Sequence, residues 1–225
     1  MLIRYWGHSC FEIFPAEKIE NSIIFDPFSE DTGGFLLDTK SWLILCSHDH
    51  FDHNAWKRVS RQNSKYFLDF VGETKIDSIK IKGVRLYHDP NEGALRGKIS
   101  VYVLKVEDFI VTHLGDLGHL LNEDQTQNLL SEGKIDILFI PVGGIFTIGP
   151  EQAITVIHQL NPSIAIPMHF KHPKHNMRIF GRLKSIEEFM KYAEKSFEIK
   201  FVGNSIDIKS KMDIPRETAI YVMSV

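Results

Sequence analysis

The sequence predicts an α+β fold in which two β-sheets face each other between outer layers of helices. Two observations lead to this architecture. Short β-type runs separated by turns precede Leu114, and buried strands alternate with amphipathic helices after it. Sheets and helices each have an apolar side that must be buried, and packed layers bury both. Periodicity identifies these elements without fixing the order of the layers.

The first half of the chain is predicted to consist mainly of strands. The first three are predicted at 2–6, 10–14 and 22–25. A loop rich in Asp, Gly and Pro follows at 26–40, and then the apolar run SWLILC at 41–46. Such a run is typical of a strand covered on both faces. A short helix is predicted over 54–62. Further strands are predicted near 66–70, 78–81, 84–87, 99–105 and 108–113.

Strands and helices alternate in the second half of the chain. The predicted helices span 122–130, 149–160 and 185–197. The predicted strands span 135–142, 163–168, 197–202 and 218–225. In the middle helix, Ala153, Ile154, Ile157 and Leu160 recur at the helical period and share one face. Pro150 suits the first helical position, because its missing N–H is not needed there.

Length and composition predict one globular domain over residues 1–225, with 43% hydrophobic and 24% charged residues. No apolar run reaches the roughly 18 residues of a membrane span. The N-terminus lacks the features of a signal peptide, and two cysteines are too few for a disulfide framework, so a cytoplasmic location is expected. The net charge of -3 argues against a general nucleic-acid binder.

The stretch SHDHFDH at 47–53 follows the apolar strand and contains only residue types that bind metals, apart from Ser47 and Phe51. On an extended chain His48 and His50 point the same way, and residues after a turn can reach a second position. Imidazole suits Zn, Fe, Ni or Cu, and carboxylate extends the choice to Mn. The alternative is a solvated polar loop. The buried strand argues against it, because unpartnered polar groups lose solvation there.

The stretch HDHFDH at 48–53 matches an H-x-H-x-D-H signature, and the chain therefore resembles the metallo-β-lactamase superfamily. Five further stretches occur in the expected order: GHSCF at 7–11, FDPF at 25–28, HLGD at 113–116, PVGGIFTIGP at 141–150 and IPMHF at 166–170. The set is most similar to the small, capless branch that contains ascorbate-phosphate lactonase and other metal-dependent hydrolases. This resemblance implies a four-layer αββα sandwich.

The resemblance also implies a site for two divalent metal ions, zinc first, with manganese or iron as alternatives. The implied ligands are His48, His50 and His88 for one ion, Asp52, His53 and His169 for the other, and Asp116 bridging both. His88 is the ligand with the weakest motif support, and its alternative is a surface histidine before a turn.

The chemistry that the resemblance implies is hydrolysis by a metal-bound hydroxide. Two ions about 3.5–4 Å apart clamp the attacking and leaving oxygens, and bound water ionises near neutral pH. Asp52 or Asp116 is expected to accept the proton. His8 is expected to act with them or to form part of the pocket wall; the alternative is a structural role. Ser9 and Cys10, which follow His8, suggest a rival hydroxyl or thiol nucleophile, but a core thiol is the better interpretation of Cys10.

Several further residues are candidates for positioning or substrate binding. Asp26 is expected to accept a hydrogen bond from a ligand histidine or the loop backbone, and His113 to orient a ligand. His119 is equally compatible with pocket and surface. Phe146 is expected at the pocket edge, where Gly143 and Gly144 permit close approach or unusual φ.

The stretch 171–184 is strongly basic in a net acidic chain. Lys171 and Arg178 are therefore expected to form a wall that binds an anion, because both residue types bind phosphate and carboxylate. The alternative is a solvated surface flanking a helix. If this basic wall is present, the expected partner is a small anionic molecule. The oligomeric state is left open, with a homo-oligomer as one alternative.

The sequence thus predicts a dinuclear metal-dependent hydrolase that acts on a small anionic ester, lactone or phosphodiester. The alternatives are an RNA or cyclic-nucleotide phosphodiesterase, a metal-binding regulator without turnover, and an iron-dependent redox protein.

Overall fold

The computed structural model describes residues 1–225 and contains fourteen strands and five α-helices. The strands are β1 (Leu2–Gly7), β2 (Cys10–Phe14), β3 (Ile23–Phe25), β4 (Ser41–Cys46), β5 (Ser60–Leu68), β6 (Gly72–Ile76), β7 (Ile79–Tyr87), β8 (Lys98–Val106), β9 (Phe109–His113), β10 (Ile137–Pro141), β11 (Ile164–Met168), β12 (Glu198–Val202), β13 (Ser205–Asp207) and β14 (Ala219–Met223). The helices are α1 (Trp56–Val59), α2 (Glu123–Leu130), α3 (Pro150–Leu160), α4 (Met177–Phe180) and α5 (Ile186–Ala193).

The strands form two sheets, as predicted. The first has the order β13-β1-β2-β3-β4-β5, and the second has the order β12-β14-β11-β10-β9-β8-β7-β6. In the second sheet β6 to β9 form an antiparallel meander, whereas β9, β10, β11, β14 and β12 are parallel to one another. Parallel neighbours need crossover connections. Helix α2 lies between β9 and β10 in the chain, and α3 lies between β10 and β11.

The apolar core lies in three layers. Phe11, Tyr102 and Phe139 belong to the cluster that the two sheets bury between them. A second cluster joins the helices to the outer face of the second sheet, with Ile157 and Phe189 among its members. A smaller cluster covers the outer face of the first sheet, beneath α1 and the loop 26–40. The layered fold class is confirmed, although the outer layer over the first sheet contains only two short helical turns, α1 and the 3₁₀ turn Glu30–Thr32.

Most predicted elements are found, and the differences have local causes. The helix predicted over 54–62 is only the turn α1, because Ser60 already pairs with β4. The strands predicted at 78–81 and 84–87 are one continuous strand, β7. The glycine that suggested a break, Gly83, is needed because an added Cβ would lie 1.9 Å from the carbonyl oxygen of Phe70. Strands β6 and β13 and helix α4 were not predicted. None of the helices has the length and apolar character needed to cross a lipid bilayer.

Strand direction brings the candidate residues to one edge of the structure. Within the first sheet β1, β3 and β4 run the same way, and within the second β7, β9 and β11 do. The candidate residues follow the carboxyl ends of these strands: His8 after β1, Asp26 after β3, His48 after β4, His88 after β7, Asp116 after β9 and His169 after β11. The carboxyl ends of same-direction strands lie at the same edge of a sheet, which is a common place for binding sites.

Candidate metal centre

The loop after β4 and the end of β7 bring three imidazoles together. His48 Nε2 lies 2.9 Å from His50 Nδ1. His48, His50 and His88 each offer one nitrogen, and these three atoms lie within 4.8 Å of one another. His88 is 2% exposed, so the alternative of a surface histidine is wrong. The structure therefore assembles the group expected around the first ion.

A second group lies beside the first. Asp52, His53 and His169 come together as expected, and His8 joins them, with all four potential ligand atoms within 4.8 Å of one another. His8 Nε2 lies 3.1 Å from Asp52 Oδ2. The interpretation of His8 as a residue of the site therefore has geometric support, because its imidazole directly contacts a candidate ligand.

The carboxylate of Asp116 lies between the two groups. Its Oδ2 is 3.3 Å from His88 Nε2, 3.4 Å from His169 Nε2 and 4.0 Å from His48 Nε2. Its Oδ1 is 3.2 Å from His53 Nε2. One carboxylate thus faces histidines of both groups, which is the position that a bridging ligand requires.

Hydrogen bonds within this cluster leave some of its polar atoms without a partner. Nε2 of His53, Oδ1 of Asp116 and Nδ1 of both His88 and His169 are buried and have no hydrogen-bond partner. Buried polar atoms nearly always have partners, so a cluster of exceptions points to a missing one. The donor set of imidazole nitrogens and carboxylate oxygens fits a divalent transition metal.

Three residues of the site have left-handed backbone conformations. The φ angles are 54° at His8, 44° at Asp26 and 53° at His169. Each of these residues directly follows the end of a strand. His and Asp adopt this conformation more readily than most residues other than glycine. The sharp turn redirects each side chain from the strand direction into the site.

Asp26 fixes the loop that carries the motif. Its Oδ1 accepts a hydrogen bond from Ser47 N at 2.7 Å, and its Oδ2 accepts one from Ser47 Oγ at 2.7 Å. Oδ2 also lies 2.8 Å from His53 Nδ1. Both partners expected for Asp26, a candidate ligand histidine and the loop backbone, are present. A carboxylate in this position keeps the proton on Nδ1 and leaves Nε2 of His53 free to bind a metal.

His113 and His119 have different surroundings. His113 is buried, its Nε2 lies 2.9 Å from the carbonyl oxygen of Ser9, and its Nδ1 accepts from Gly115 N at 3.1 Å. His113 therefore holds the turn that leads to Asp116 and contacts no candidate ligand through a short hydrogen bond. His119 lies against the ring of Tyr87 and does not line the cavity at the candidate centre.

The charges of the site shift one another's pKa values. Burial, followed by the charge of His53, lowers the pKa of His48 well below its usual value. Burial would also lower the pKa of His53, but the neighbouring carboxylates, Asp116 first, raise it well above its usual value. Burial would raise the pKa of Asp116, but His169 and then His53 hold it well below its usual value. The carboxylates therefore stay ionised and favour positive charge between them.

His8 and His175 continue a hydrogen-bonded chain that begins at Asp52. His172 N donates to Nδ1 of His175 at 3.2 Å, which leaves the proton of a neutral His175 on Nε2. That atom lies 3.0 Å from Nδ1 of His8, so Nε2 of His8 carries the proton that faces Asp52. Burial, followed by the charge of His169, lowers the pKa of His8 to about 4, so this imidazole is neutral at pH 7. The tautomer of His8 is thus set from the backbone.

The candidate centre opens into a cavity of about 230 Å³. Its lining residues are His50, Phe51, Asp52, His88, Arg96, Asp116, Phe146, His169, Ile179 and Phe180. Phe146 lies at the pocket as expected. Lys171 and Arg178 are exposed and do not line the cavity, so the expected basic wall is not found there. The stretch 171–184 contributes the apolar side chains of Ile179 and Phe180 instead.

A family model described as the β-lactamase superfamily domain matches residues 2–169. The chain belongs to the β-lactamase superfamily. The match covers most of the chain and contains every candidate ligand. It confirms the family that the H-x-H-x-D-H signature and its companion stretches indicated.

Individual relatives of this superfamily member agree with the assignment. A solved structure from Thermotoga maritima, assigned to the Zn-dependent hydrolases of the metallo-β-lactamase superfamily, is 31% identical with a TM-score of 0.76, over 99% of this chain and 97% of that one. A metal-dependent hydrolase of Staphylothermus marinus is 28% identical over 89% of this chain and 94% of its own. One from Thermococcus onnurineus is 26% identical over 75% of this chain and 84% of its own. The predictions of the fold and of a metal-dependent hydrolase are confirmed at this level.

Sequence reasoning did not find two residues near the centre of this superfamily member. Arg96 lies in a loop between two strands, and the only signal was that this loop directly follows His88. His175 was counted as part of a basic stretch, and its contact with His8 joins positions 167 residues apart.

Cys10 is fully buried, and burial raises the pKa of its thiol well above the usual value. A buried, protonated thiol is a poor nucleophile, which supports its interpretation as a core residue.

Gly143 lies against the backbone of His169, and substitution is expected to move that residue. A Cβ at position 143 would lie 2.0 Å from the carbonyl oxygen of His169. We expect Gly143→Ala to lower the free energy of unfolding by about 1–3 kcal/mol, as overpacking does, and to weaken metal binding. Gly203→Ala is the control, because an added Cβ meets nothing within 4 Å there. Urea unfolding and zinc titration of both variants check this; equal behaviour of the two would contradict it.

Proposed function

We propose that this β-lactamase superfamily member is a hydrolase that uses two divalent ions, zinc first, to cleave a small anionic ester, lactone or phosphodiester. The observation that supports this proposal best is the position of Asp116. Its carboxylate faces His48 and His88 of one group and His53 and His169 of the other. Such an arrangement is suited to two adjacent ions that share one ligand.

When bound, such ions lower the pKa of water and stabilise negative charge on a carbonyl or phosphoryl oxygen. The residues of the chain have complementary tasks. His48, His50 and His88 would hold one ion, Asp52, His53 and His169 would hold the other, and Asp116 would be shared by both. Asp52 lines the cavity and is available to accept a proton during attack by water.

Hydrogen bonds around the centre support these tasks. The imidazole of His8 donates to Asp52 from Nε2 and keeps that carboxylate in place. Burial would raise the pKa of Asp52, but His53 and the hydrogen bond from His8 hold it well below its usual value. Asp52 is therefore ionised at pH 7, the form in which a carboxylate binds a metal ion. Asp26 orients His53 from the opposite side.

The cavity favours a small substrate with one anionic group. Phe51, Phe146, Ile179 and Phe180 supply apolar walls, and Arg96 supplies the cationic side chain. Binding of RNA requires several cationic side chains along the phosphate backbone. The net charge of -3 and the single arginine at the cavity support a small molecule over RNA. A cytoplasmic location and a homo-oligomer stay predictions of the sequence.

Removal of the metal is the direct test of this proposal. We expect dialysis against a chelator to abolish hydrolysis of 4-nitrophenyl esters, lactones or bis-4-nitrophenyl phosphate, and zinc, manganese or iron(II) to restore it. Metal at 100 times its Kd should stabilise the fold by about 2.7 kcal/mol, visible as a rise in Tm. Elemental analysis gives the stoichiometry.

The other outcomes separate the alternatives. Two bound ions without turnover of any member of the panel would favour a regulator over an enzyme. Turnover of bis-4-nitrophenyl phosphate and 2′,3′-cyclic nucleotides alone would favour a phosphodiesterase. A protein that binds no metal after all three ions have been supplied would contradict the proposal.

A further inference from the structure

The cavity above the metal centre contains one side chain with a permanent positive charge. Among the lining residues only Arg96 is a lysine or arginine. Its guanidinium carbon lies 4.8 Å from the centre of the Phe146 ring, and Nη2 donates to the carbonyl oxygen of Ile145 at 3.4 Å. Neither contact is with a carboxylate. The guanidinium of Arg96 is exposed and lines the cavity without a carboxylate partner of its own.

The loop that carries Arg96 is fixed by a single buried carboxylate. Asp89 is 3% exposed and follows His88 directly in the chain. Its two oxygens accept four backbone hydrogen bonds: Asn91 N at 2.9 Å, Gly93 N at 3.2 Å, Leu95 N at 3.0 Å and Arg96 N at 2.8 Å. Four bonds to one side chain give the loop one conformation, in which the Cα of Arg96 has a fixed position relative to His88.

The ring of Phe146 restricts the remaining freedom of the arginine. A guanidinium within 6 Å of an aromatic ring is attracted to its face. Phe146 belongs to the turn that follows β10 and lines the cavity together with Arg96. The arginine is thus held at the cavity wall, where its remaining donors can form two parallel bonds to a carboxylate or phosphate. A lysine would offer only a point charge there.

From these contacts we infer that Arg96 binds the anionic group of the substrate and so determines which substrates are accepted. The inference rests on the proposed function of the metal centre. The substrate then has an anionic group at one end, a reactive ester, lactone or phosphodiester at the other, and an apolar body of a few carbons between them. Phe146 and Phe180 are the walls that contact this body. Asp89 is a positioning residue, because it acts through the loop and does not touch the substrate.

A pair of matched esters tests this inference. Mono-4-nitrophenyl glutarate and 4-nitrophenyl valerate have the same leaving group and chain length and differ in the terminal carboxylate. We expect Arg96→Gln to raise KM for the glutarate ester about 10- to 100-fold, the range of a charged hydrogen-bonded pair. The valerate ester should change less than about twofold. Arg96→Lys should restore part of the loss, and Asp89→Ala should act in the same direction with an unchanged metal content.

Arg216→Gln is the matched control, because Arg216 is exposed and does not line the cavity. Equal losses with both esters would overturn the role of Arg96 and leave the hydrolase intact. Calorimetric titration with phenyl phosphate gives a reading that does not need turnover. Metal-loaded wild-type protein should bind it about 10- to 100-fold more tightly than Arg96→Gln, and equal Kd values would also overturn the inference. Loss of metal dependence in the wild type would instead contradict the proposed function.

Discussion

Replacing Asp116 with asparagine is expected to lower kcat/KM by at least about 10³-fold and to reduce the bound metal to less than one ion per chain. The carboxylate lies 3.2 Å from His53 Nε2, 3.3 Å from His88 Nε2 and 3.4 Å from His169 Nε2. An amide of the same shape removes the negative charge and replaces one oxygen by a donor. Two cations then lose their shared ligand, and no negative charge between them offsets their mutual repulsion.

Asp49→Asn is the matched control, because it makes the same chemical change inside the motif. Asp49 is exposed, and its Oδ1 accepts from Asn54 Nδ2 at 2.7 Å, away from the centre. We expect this variant to keep its metal content and its kcat/KM within about twofold, as exposed sites tolerate substitution. Elemental analysis and steady-state kinetics measure both variants. An Asp116→Asn protein that binds two ions and turns over normally would contradict the bridging position.

The predictions that succeeded rest on local spacing and on strand ends. His48, His50, Asp52 and His53 are close in the chain, and a strand followed by a turn leaves them few alternative positions. The family resemblance placed the distant ligands, such as His169, at strand ends. Parallel strand direction then brings those ends to one edge of the sheets, so the positions were predictable without side-chain detail.

The predictions that failed depend on contacts that no local pattern contains. The basic stretch 171–184 has many cations, but charge along a chain does not say which side of a turn faces a cavity. In α4, Arg178 does not line the cavity, whereas its neighbours Ile179 and Phe180 do. Arg96 shows the converse: its role depends on the loop conformation that Asp89 imposes. Strand β6 has the weakly β-type sequence GETKI and is formed by pairing with β7.

The variant Asp26→Asn is expected to weaken zinc binding about 10- to 100-fold without directly changing a ligand. Oδ2 of Asp26 faces Nδ1 of His53 at 2.8 Å and also accepts from Ser47 Oγ. An amide nitrogen in that position donates to Nδ1 and moves the imidazole proton to Nε2, the atom that faces Asp116. The asparagine tolerates the φ of 44°, so the backbone should not change. If the amide has the opposite orientation, its nitrogen faces Ser47 N, and that N–H group loses its acceptor.

Either orientation leaves one buried donor of Ser47 or His53 without an acceptor, so the free energy of unfolding of the metal-free protein should fall by about 1–3 kcal/mol. Asp31→Asn in the same loop is the control, since Asp31 is exposed and its side chain has no partner. Zinc titration against a competing chelator and urea unfolding measure the two effects separately. A metal affinity that stays at the wild-type value while stability falls would show that Asp26 supports only the loop. Loss of both, with the Asp31→Asn control unchanged, would show that the tautomer of His53 is set from Asp26, because removing a loop contact alone leaves Nε2 free to bind.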